Sequence, residues 1–477
     1  MRWLRRVGSA VSRLFDRANV IEESRLRETV DLAWPRVLTG FAIMSKRTVD
    51  LAIVGIAVGA EAVAGLTVAN AYWLVGKLVL IGLAGGTLAL VSQNYGGGEP
   101  GRAARVVTAS FLLVAGLAVP VVALFGLAAA PLVELVGAGG PTTRFGATYL
   151  AVVAPGLFFE GLNLVASRTY AGGGDTRTPM AIRGGGAVGN IALSAAFVFG
   201  AGLGVFGAAL GTTLSTALVA VAFAWGISGR SYAGRGRTPV PVALSLPGRD
   251  LLGQLVRVSV PLVARRLAQG VVVFPLLAIT AVFGATALAA IGVGRQVRAL
   301  MNSFTWGFSI AASTLVGQAL GAADETVAEA YGREITRLSL VIYLAATLGV
   351  VALARPIAAV FVDGSAVGLT TAFVRVAAVS VVPLGVDGSV TGTLRGAGDT
   401  RIPFVATLAG LYLVALPVAW LGTVTALGVL AIQLALVAET AVPMAINVAR
   451  FRTGTWKAVS REYRPGSDAA VEGDAGD

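Results

Sequence analysis

The sequence predicts an all-α polytopic membrane protein, with about twelve transmembrane helices in two six-helix lobes related by a parallel repeat. Composition is the first observation behind this. Hydrophobic residues make up 56% of the 477-residue chain and charged residues 13%, and mean hydropathy is +0.80. Soluble domains carry about 25% charged residues. The apolar runs here are each about twenty residues long, enough to cross ~30 Å of hydrocarbon. The second observation is self-similarity. GGGDTRTPM at 172–180 returns as GAGDTRIPF at 396–404, VGAEAVAGL at 58–66 as FGATALAAI at 283–291, and LVSQNYG at 90–96 as LVGQALG at 315–321. The blocks keep a constant register of about 225 residues, which marks one ancestral unit present twice. The third is the alternation of basic-rich and basic-poor loops, treated below.

The elements follow in chain order. Within an N-terminal segment 1–29, residues 1–20 lack the apolar core of a signal peptide, because Arg2, Arg5, Arg6, Arg13 and Arg17 interrupt it. Trp3, Leu4, Val7, Val11, Leu14 and Phe15 recur at helical spacing instead. That pattern predicts a basic amphipathic helix on the inner leaflet. Six spans of an N-lobe are expected within 30–228: 30–57, 62–94, 104–130, 141–171, 178–200 and 205–228. A linker rich in Pro, Gly and Arg, 229–250, leads to the C-lobe at 251–450. Its spans are expected at 251–282, 286–318, 328–353, 366–394, 402–421 and 425–449. An even number of spans per unit gives both lobes the same orientation, so the repeat axis runs along the membrane normal. Residues 451–477 form a cytoplasmic tail whose last stretch, GSDAAVEGDAGD, has the composition of a disordered segment.

A net charge of +12 raises the question of nucleic acid, but its distribution answers it. Arg102 and Arg105 follow the second span, Arg177 and Arg183 surround the first GDTR, and Arg230, Arg235, Arg237 and Arg249 lie between the lobes. Arg395 and Arg401 flank the second GDTR, and five basic residues from Arg450 to Arg464 follow the last span. The intervening loops near Glu61, Glu134 and Asp363 carry far fewer. This is the positive-inside pattern with both termini cytoplasmic; no nucleic-acid partner is expected. Cys and His are absent, which excludes disulfides, thiol chemistry and the usual zinc sites, and no cofactor is expected. Neither GDTR loop has a P-loop Lys-Ser/Thr or a preceding strand. Their glycines (Gly173, Gly174, Gly396 and Gly398) predict tight turns, and Asp175-Thr176 and Asp399-Thr400 predict N-caps. No motif supports ATP hydrolysis, so transport would be driven by a gradient.

Trp34-Pro35, Val49-Asp50 with Val54-Gly55, the Gln93 and Gln318 blocks, both GDTR loops, VFGAALGTT at 205–213 and RFRTGTWK at 450–457 occur in one order along nearly the whole chain. In this ordered set the chain resembles the multidrug and toxic compound extrusion (MATE) family. The resemblance implies two six-helix lobes around a central cavity in the plasma membrane. It also implies secondary active export of amphipathic organic cations in exchange for protons or sodium ions, by a monomer surrounded by lipid. By the same resemblance Asp50 carries the coupling ion, proton or sodium, and Asn190 and Thr212 line the N-lobe cavity. Many relatives carry a second Asp one turn after that Asn, where this chain has Ser194.

Each candidate has a bland reading beside the functional one. An intramembrane carboxylate such as Asp50 faces a cavity or a partner. Lys46 and Arg47 lie three to four residues earlier and can reach it on one helix face, as a structural ion pair or as competitors of an incoming cation. Asn163, Asn190, Ser194 and Thr212 could equally make interhelical hydrogen bonds. The repeat puts Pro275 where the first lobe has Asp50, and Asp387 where it has Asn163. Asp387 is therefore a candidate for substrate recognition, its alternative a pair with Arg375 or Arg395; Glu439 is a further candidate. Arg168, Arg265 and Arg266 are expected to snorkel. Were Lys46, Arg47, Lys77 and Arg295 to face a cavity, an exporter or flippase of an anionic or lipid-linked substrate would be the alternative. A lipid-modifying enzyme lacks a nucleophile–base or metal-ligand constellation, while Lys46 and the missing second Asp leave room for a non-transporting sensor.

Overall fold

The computed structural model describes residues 15–135, 140–232, 236–243 and 245–463. Every regular element of more than an isolated bridge among them is helical. Hydrocarbon offers no water to backbone N–H and C=O groups, and a helix satisfies them within one segment.

The repeat is visible helix by helix. In the first half α1 is Glu23–Ala57, α2 Ala60–Gly96, α3 Pro100–Leu127 and α4 Ala129–Leu135. Then come α5 Gly140–Gly172, α6 Arg177–Ala195 with a π-helical turn Ala196–Gly200, and α7 Gly204–Ile227. The second half opens with α8 Arg249–Val271 and α9 Val273–Ala281, then α10 Ala285–Gly321, α11 Glu325–Ala352 and the short α12 Ala354–Phe361. It closes with α13 Ala366–Gly396, α14 Arg401–Leu408, a π-helical stretch Ala409–Ala415, α15 Leu416–Val424, α16 Val429–Arg452 and the short α17 Trp456–Arg461. Helices α2 and α10 are both 37 residues long, α3 and α11 both 28, and α7 and α16 both 24. Packing repeats too: α5 lies against α3 and α7, as its counterpart α13 lies against α11 and α16.

Ten spans among the described residues are long and apolar enough to cross a membrane. The long helices α1 and α10 occupy the first and eighth of about twelve transmembrane positions. They are the more polar ones, α1 with Lys46, Arg47 and Asp50 and α10 with Arg295 and Arg298.

The chain forms two compact units. One comprises Pro35–Tyr95 and Glu99–Arg266; the other, among the described residues, comprises the chain up to Trp34, Gly96–Gly98 and everything from Leu267. In the first unit, Leu66, Leu80, Val114, Leu150, Val153 and Leu157 are part of one buried cluster. In the second, Ile21, Leu26 and Leu32 are buried with Leu315, Ile335, Leu338 and Tyr343.

Several local features differ from the sequence reading. Residues 15–17 are helical, and the long helix α1 begins at Glu23 with its first turns docked on α11: Arg25 Nη1 lies 2.5 Å from Glu334 Oε1, and Tyr331 donates to Glu28. Residues 23–29 therefore continue into the first span, while the predicted helical positions Trp3 to Leu14 lie outside the described residues. Described parts of the linker are packed, with Val240 fully buried and the Tyr170 hydroxyl donating to Gly236 O at 3.0 Å. The turns of the two GDTR loops are built by Gly174 (φ 92°) and Gly398 (φ 83°), both in the left-handed region that favours glycine. Asp175 Oδ1 accepts from the N–H groups of Arg177 and Thr178 at 2.9 and 3.0 Å and so caps α6. Asp399 does not repeat this: its Oδ2 accepts from Arg450 Nε at 2.7 Å, tying the loop to the end of α16. Arg168 does not snorkel; it is 7% exposed, inside the most buried part of α5.

Candidate ion and substrate site

Three helices of the first unit converge on Asp50. Helix α1 carries it beyond its midpoint, where it is 6% exposed. Helix α6 presents Asn190, and α7 presents Thr212 from the VFGAALGTT string. The close approach of α6 and α7 depends on Gly211, where a Cβ would fall 2.8 Å from Ser194 N. The Asn190 amide satisfies its groups with the nitrogen toward Asp50, donating to Oδ1 at 3.1 Å and Oδ2 at 3.0 Å. Its oxygen then faces the Thr212 hydroxyl at 3.0 Å and Ser215 Oγ at 3.3 Å. Thr212 Oγ1 is also 3.4 Å from Asp50 Oδ2. The structure thus brings Asp50, Asn190 and Thr212 together. Ser194 is fully buried one turn beyond Asn190 on the same helix.

Asp50, Thr212 and Asn163 share the wall of a cavity of about 190 Å³ with Lys46, Arg47, Lys77, Glu160 and Arg183. Asn163 donates to Thr216 O at 3.0 Å, while its Oδ1 has no hydrogen-bond partner among the described residues. Lys46 and Arg47 face this cavity, but among the described residues neither forms an ion pair with Asp50.

The closest charged contacts among the cavity residues are made by one that the motifs do not single out. Glu160, on α5, accepts from Lys77 Nζ at 2.8 Å and from Arg183 Nη2 at 2.7 Å through the same oxygen. All three side chains are largely buried, at 7%, 16% and 9% exposure. The signal for Glu160 was the one that marks Asp50, a lone carboxylate inside an apolar string, here FFEGLNL.

In the second unit, Asp387 on α13 is 6% exposed and accepts from Asn447 Nδ2 of α16 at 2.7 Å. Arg395, one of its expected partners, donates to Ser309 O at 2.7 Å and to Ser313 Oγ at 3.2 Å. Arg295 pairs with Glu439 at 3.2 Å, and Arg298 joins the same carboxylate oxygen at 3.0 Å. Arg295 belongs to the second unit, and Lys46, Arg47 and Lys77 to the first. Asn447, like Glu160, is a site residue that sequence reasoning missed; a single Asn in an apolar span gives little to distinguish it from a packing residue.

A sequence model of the family described as MatE matches residues 35–196 and 261–421, one match in each half of the repeat. The chain is 27% identical over 447 residues to a probable multidrug resistance protein NorM of Bradyrhizobium diazoefficiens, covering 89% of this chain and 92% of that protein. It is 28% identical over 473 residues to a protein of the same description from Rhodopseudomonas palustris, covering 92% and 94%. Among solved structures, a crystal structure of MATE in the bent conformation superposes with a TM-score of 0.84 at 20% identity, covering 92% of this chain and 97% of that one.

Proposed function

Since the chain belongs to the MATE family of transporters, we propose that it is a multidrug exporter of the plasma membrane, working as a monomer by alternating access and driven by a proton or sodium gradient. It is a transporter and not an enzyme. The observation that carries the coupling reading is the Asp50 carboxylate, buried at the cavity wall and bound by the Asn190 amide. A proton or sodium ion arriving at Asp50 would compete with that amide. A change at Asp50 on α1 would thereby be felt on α6, and through Thr212 on α7. An ion can shift the balance between two states only if it binds one of them better, and a few kcal/mol is enough.

The resemblance makes the expected substrate an amphipathic organic cation, with Asp50 and Asp387 as candidates to recognise its charge. A second reading, an anionic substrate, is favoured by a specific observation: Lys46, Arg47 and Lys77 face one cavity, together with Arg183.

The test is movement of a fluorescent organic cation by proteoliposomes under an imposed pH or sodium gradient, in wild type and Asp50→Asn. Gradient-driven movement lost in the variant supports coupling at Asp50, and the gradient that works identifies the ion. Movement indifferent to the variant would relocate coupling, with Asp387 next in line.

A further inference from the structure

We infer that the cavity of the first unit is an anion site in two parts: Glu160 is a resident counter-charge on Lys77 and Arg183, and Lys46 with Arg47 takes the acidic group of a transported amphipathic organic anion. This rests on the export reading and specifies its substrate class.

The charges facing the cavity do not balance. Four are positive (Lys46, Arg47, Lys77 and Arg183) and two negative (Asp50 and Glu160). Glu160 is committed to Lys77 and Arg183 at 2.8 and 2.7 Å. Asp50 is committed to Asn190, and among the described residues it forms no ion pair with Lys46 or Arg47. Those two side chains thus face the cavity with no carboxylate in contact. Lys46 feels Asp50 and Glu160 without touching either, yet two negative charges do not offset four positive ones; in a low-dielectric setting that excess is costly, and a bound anion relieves the cost.

Unmet hydrogen bonds point the same way. Arg183 Nη1 and Trp73 Nε1 are buried and have no acceptor among the described residues, and both side chains line the cavity. The Lys77 ammonium sits 4.9 Å from the centre of the Trp73 ring, so charge and ring are presented side by side. A carboxylate or sulfonate supplies acceptors that an organic cation lacks. Ile43, Leu51, Leu66, Leu74 and Ile81 give the wall an apolar part, beside polar residues such as Asn70, Tyr149 and Ser215. A volume of about 190 Å³ lies below the ~300–1,000 Å³ of complete small-molecule sites. It therefore suits an acidic group and an adjoining ring rather than a whole drug-sized molecule.

Glu160 explains how such a basic pocket persists without ligand. It supplies one internal negative charge where two cations meet, leaving the remaining positive excess for the substrate. Removing that charge should then strengthen anion binding, which a purely structural salt bridge would not do.

The experiment uses two probes with one fluorophore, dansyltaurine (a sulfonate) and its trimethylammonium analogue. Binding is measured to the full chain in nanodiscs, and gradient-driven movement in proteoliposomes. In wild type the sulfonate is expected to bind at least about tenfold more tightly than the ammonium, a difference of ~1.4 kcal/mol. Combining K46Q with R47Q is expected to weaken sulfonate binding by about tenfold or more, and E160Q to tighten it several-fold, as expected when Lys77 and Arg183 are released. If E160Q does not fold, E160D, which shortens the reach of the carboxylate, should show a smaller gain.

Tighter binding of the ammonium by wild type, no binding of either probe, or indifference of the sulfonate to K46Q with R47Q would each overturn the inference. Unchanged or weaker sulfonate binding in the folded Glu160 variant would overturn the resident-anion part. Asp50-dependent export of the ammonium but not the sulfonate would sink this inference and leave the export reading standing. Sulfonate binding that responds to Lys46 and Arg47 without any gradient-driven movement would do the reverse.

Discussion

The amide nitrogen of Asn190 lies 3.1 and 3.0 Å from the two carboxylate oxygens of Asp50. One α6 side chain thus covers both oxygens at which a proton or sodium ion would arrive, and the event on α1 cannot occur without disturbing α6.

Asn190→Ala should therefore weaken coupling without removing the coupling group. A hydrogen bond to a charged group contributes about 1.5–3 kcal/mol, so gradient-driven export should fall by about tenfold or more, while Asp50→Asn should reduce it to the gradient-independent background. Initial rates in proteoliposomes check both. Equal rates in Asn190→Ala and wild type would mean that the contact is packing only.

Asp387 is proposed to act in substrate recognition, not coupling. Asp387→Asn keeps a polar partner for Asn447 and should raise the apparent KM for substrate while leaving the ion dependence in place. A variant that binds substrate normally but no longer responds to the gradient would assign Asp387 to coupling instead.

Glu160→Gln should lower thermal stability, because Lys77 and Arg183 lose their shared carboxylate. Breaking a buried pair costs about 3–5 kcal/mol. Replacing Glu160, Lys77 and Arg183 together by Leu should recover most of it, since apolar groups of similar volume need no counter-charge. Melting curves with and without dansyltaurine add a further expectation: the probe should raise the Tm of Glu160→Gln more than that of wild type.

Gly174→Ala and Gly398→Ala should each destabilise by about 1–2 kcal/mol, because both positions hold a left-handed backbone that a Cβ disfavours. A matched loss in both would reflect the shared turn. A loss at Gly398 only would implicate the Tyr463 ring, whose atoms lie 2.7 Å from where its Cβ would be.

Much of the fold was legible because the repeat is written in local residues. Gly174 and Gly398 sit at the same place in their units, and each makes the same turn. The candidate site was partly legible: Asp50 stood out as a carboxylate inside a span, and Asn190 and Thr212 through the order of motifs. Glu160 lay in an equally apolar string and was passed over, because no nearby basic residue in sequence announced its partners. Lys77 comes from α2 and Arg183 from α6, 83 and 23 positions away. The two GDTR loops also warn against reading equal strings as equal contacts. Asp175 caps its helix, while Asp399 is drawn to Arg450, which exists only at the end of α16.

Composition and repetition by themselves determined that this chain is a helical membrane protein of two related lobes, since hydrophobic length and constant register are properties of the linear sequence. The depth of each charge along its helix was also set there. Only the tertiary structure decided which face of each helix turns toward the cavity, and hence which charges meet. It put Lys46 and Arg47 at the cavity wall without a carboxylate in contact, gave Asp50 to Asn190, and gave Glu160 two cations. The physical reason is that azimuth follows from packing against neighbouring helices, and in a low-dielectric interior a charge must find its partner among whatever that packing brings within reach.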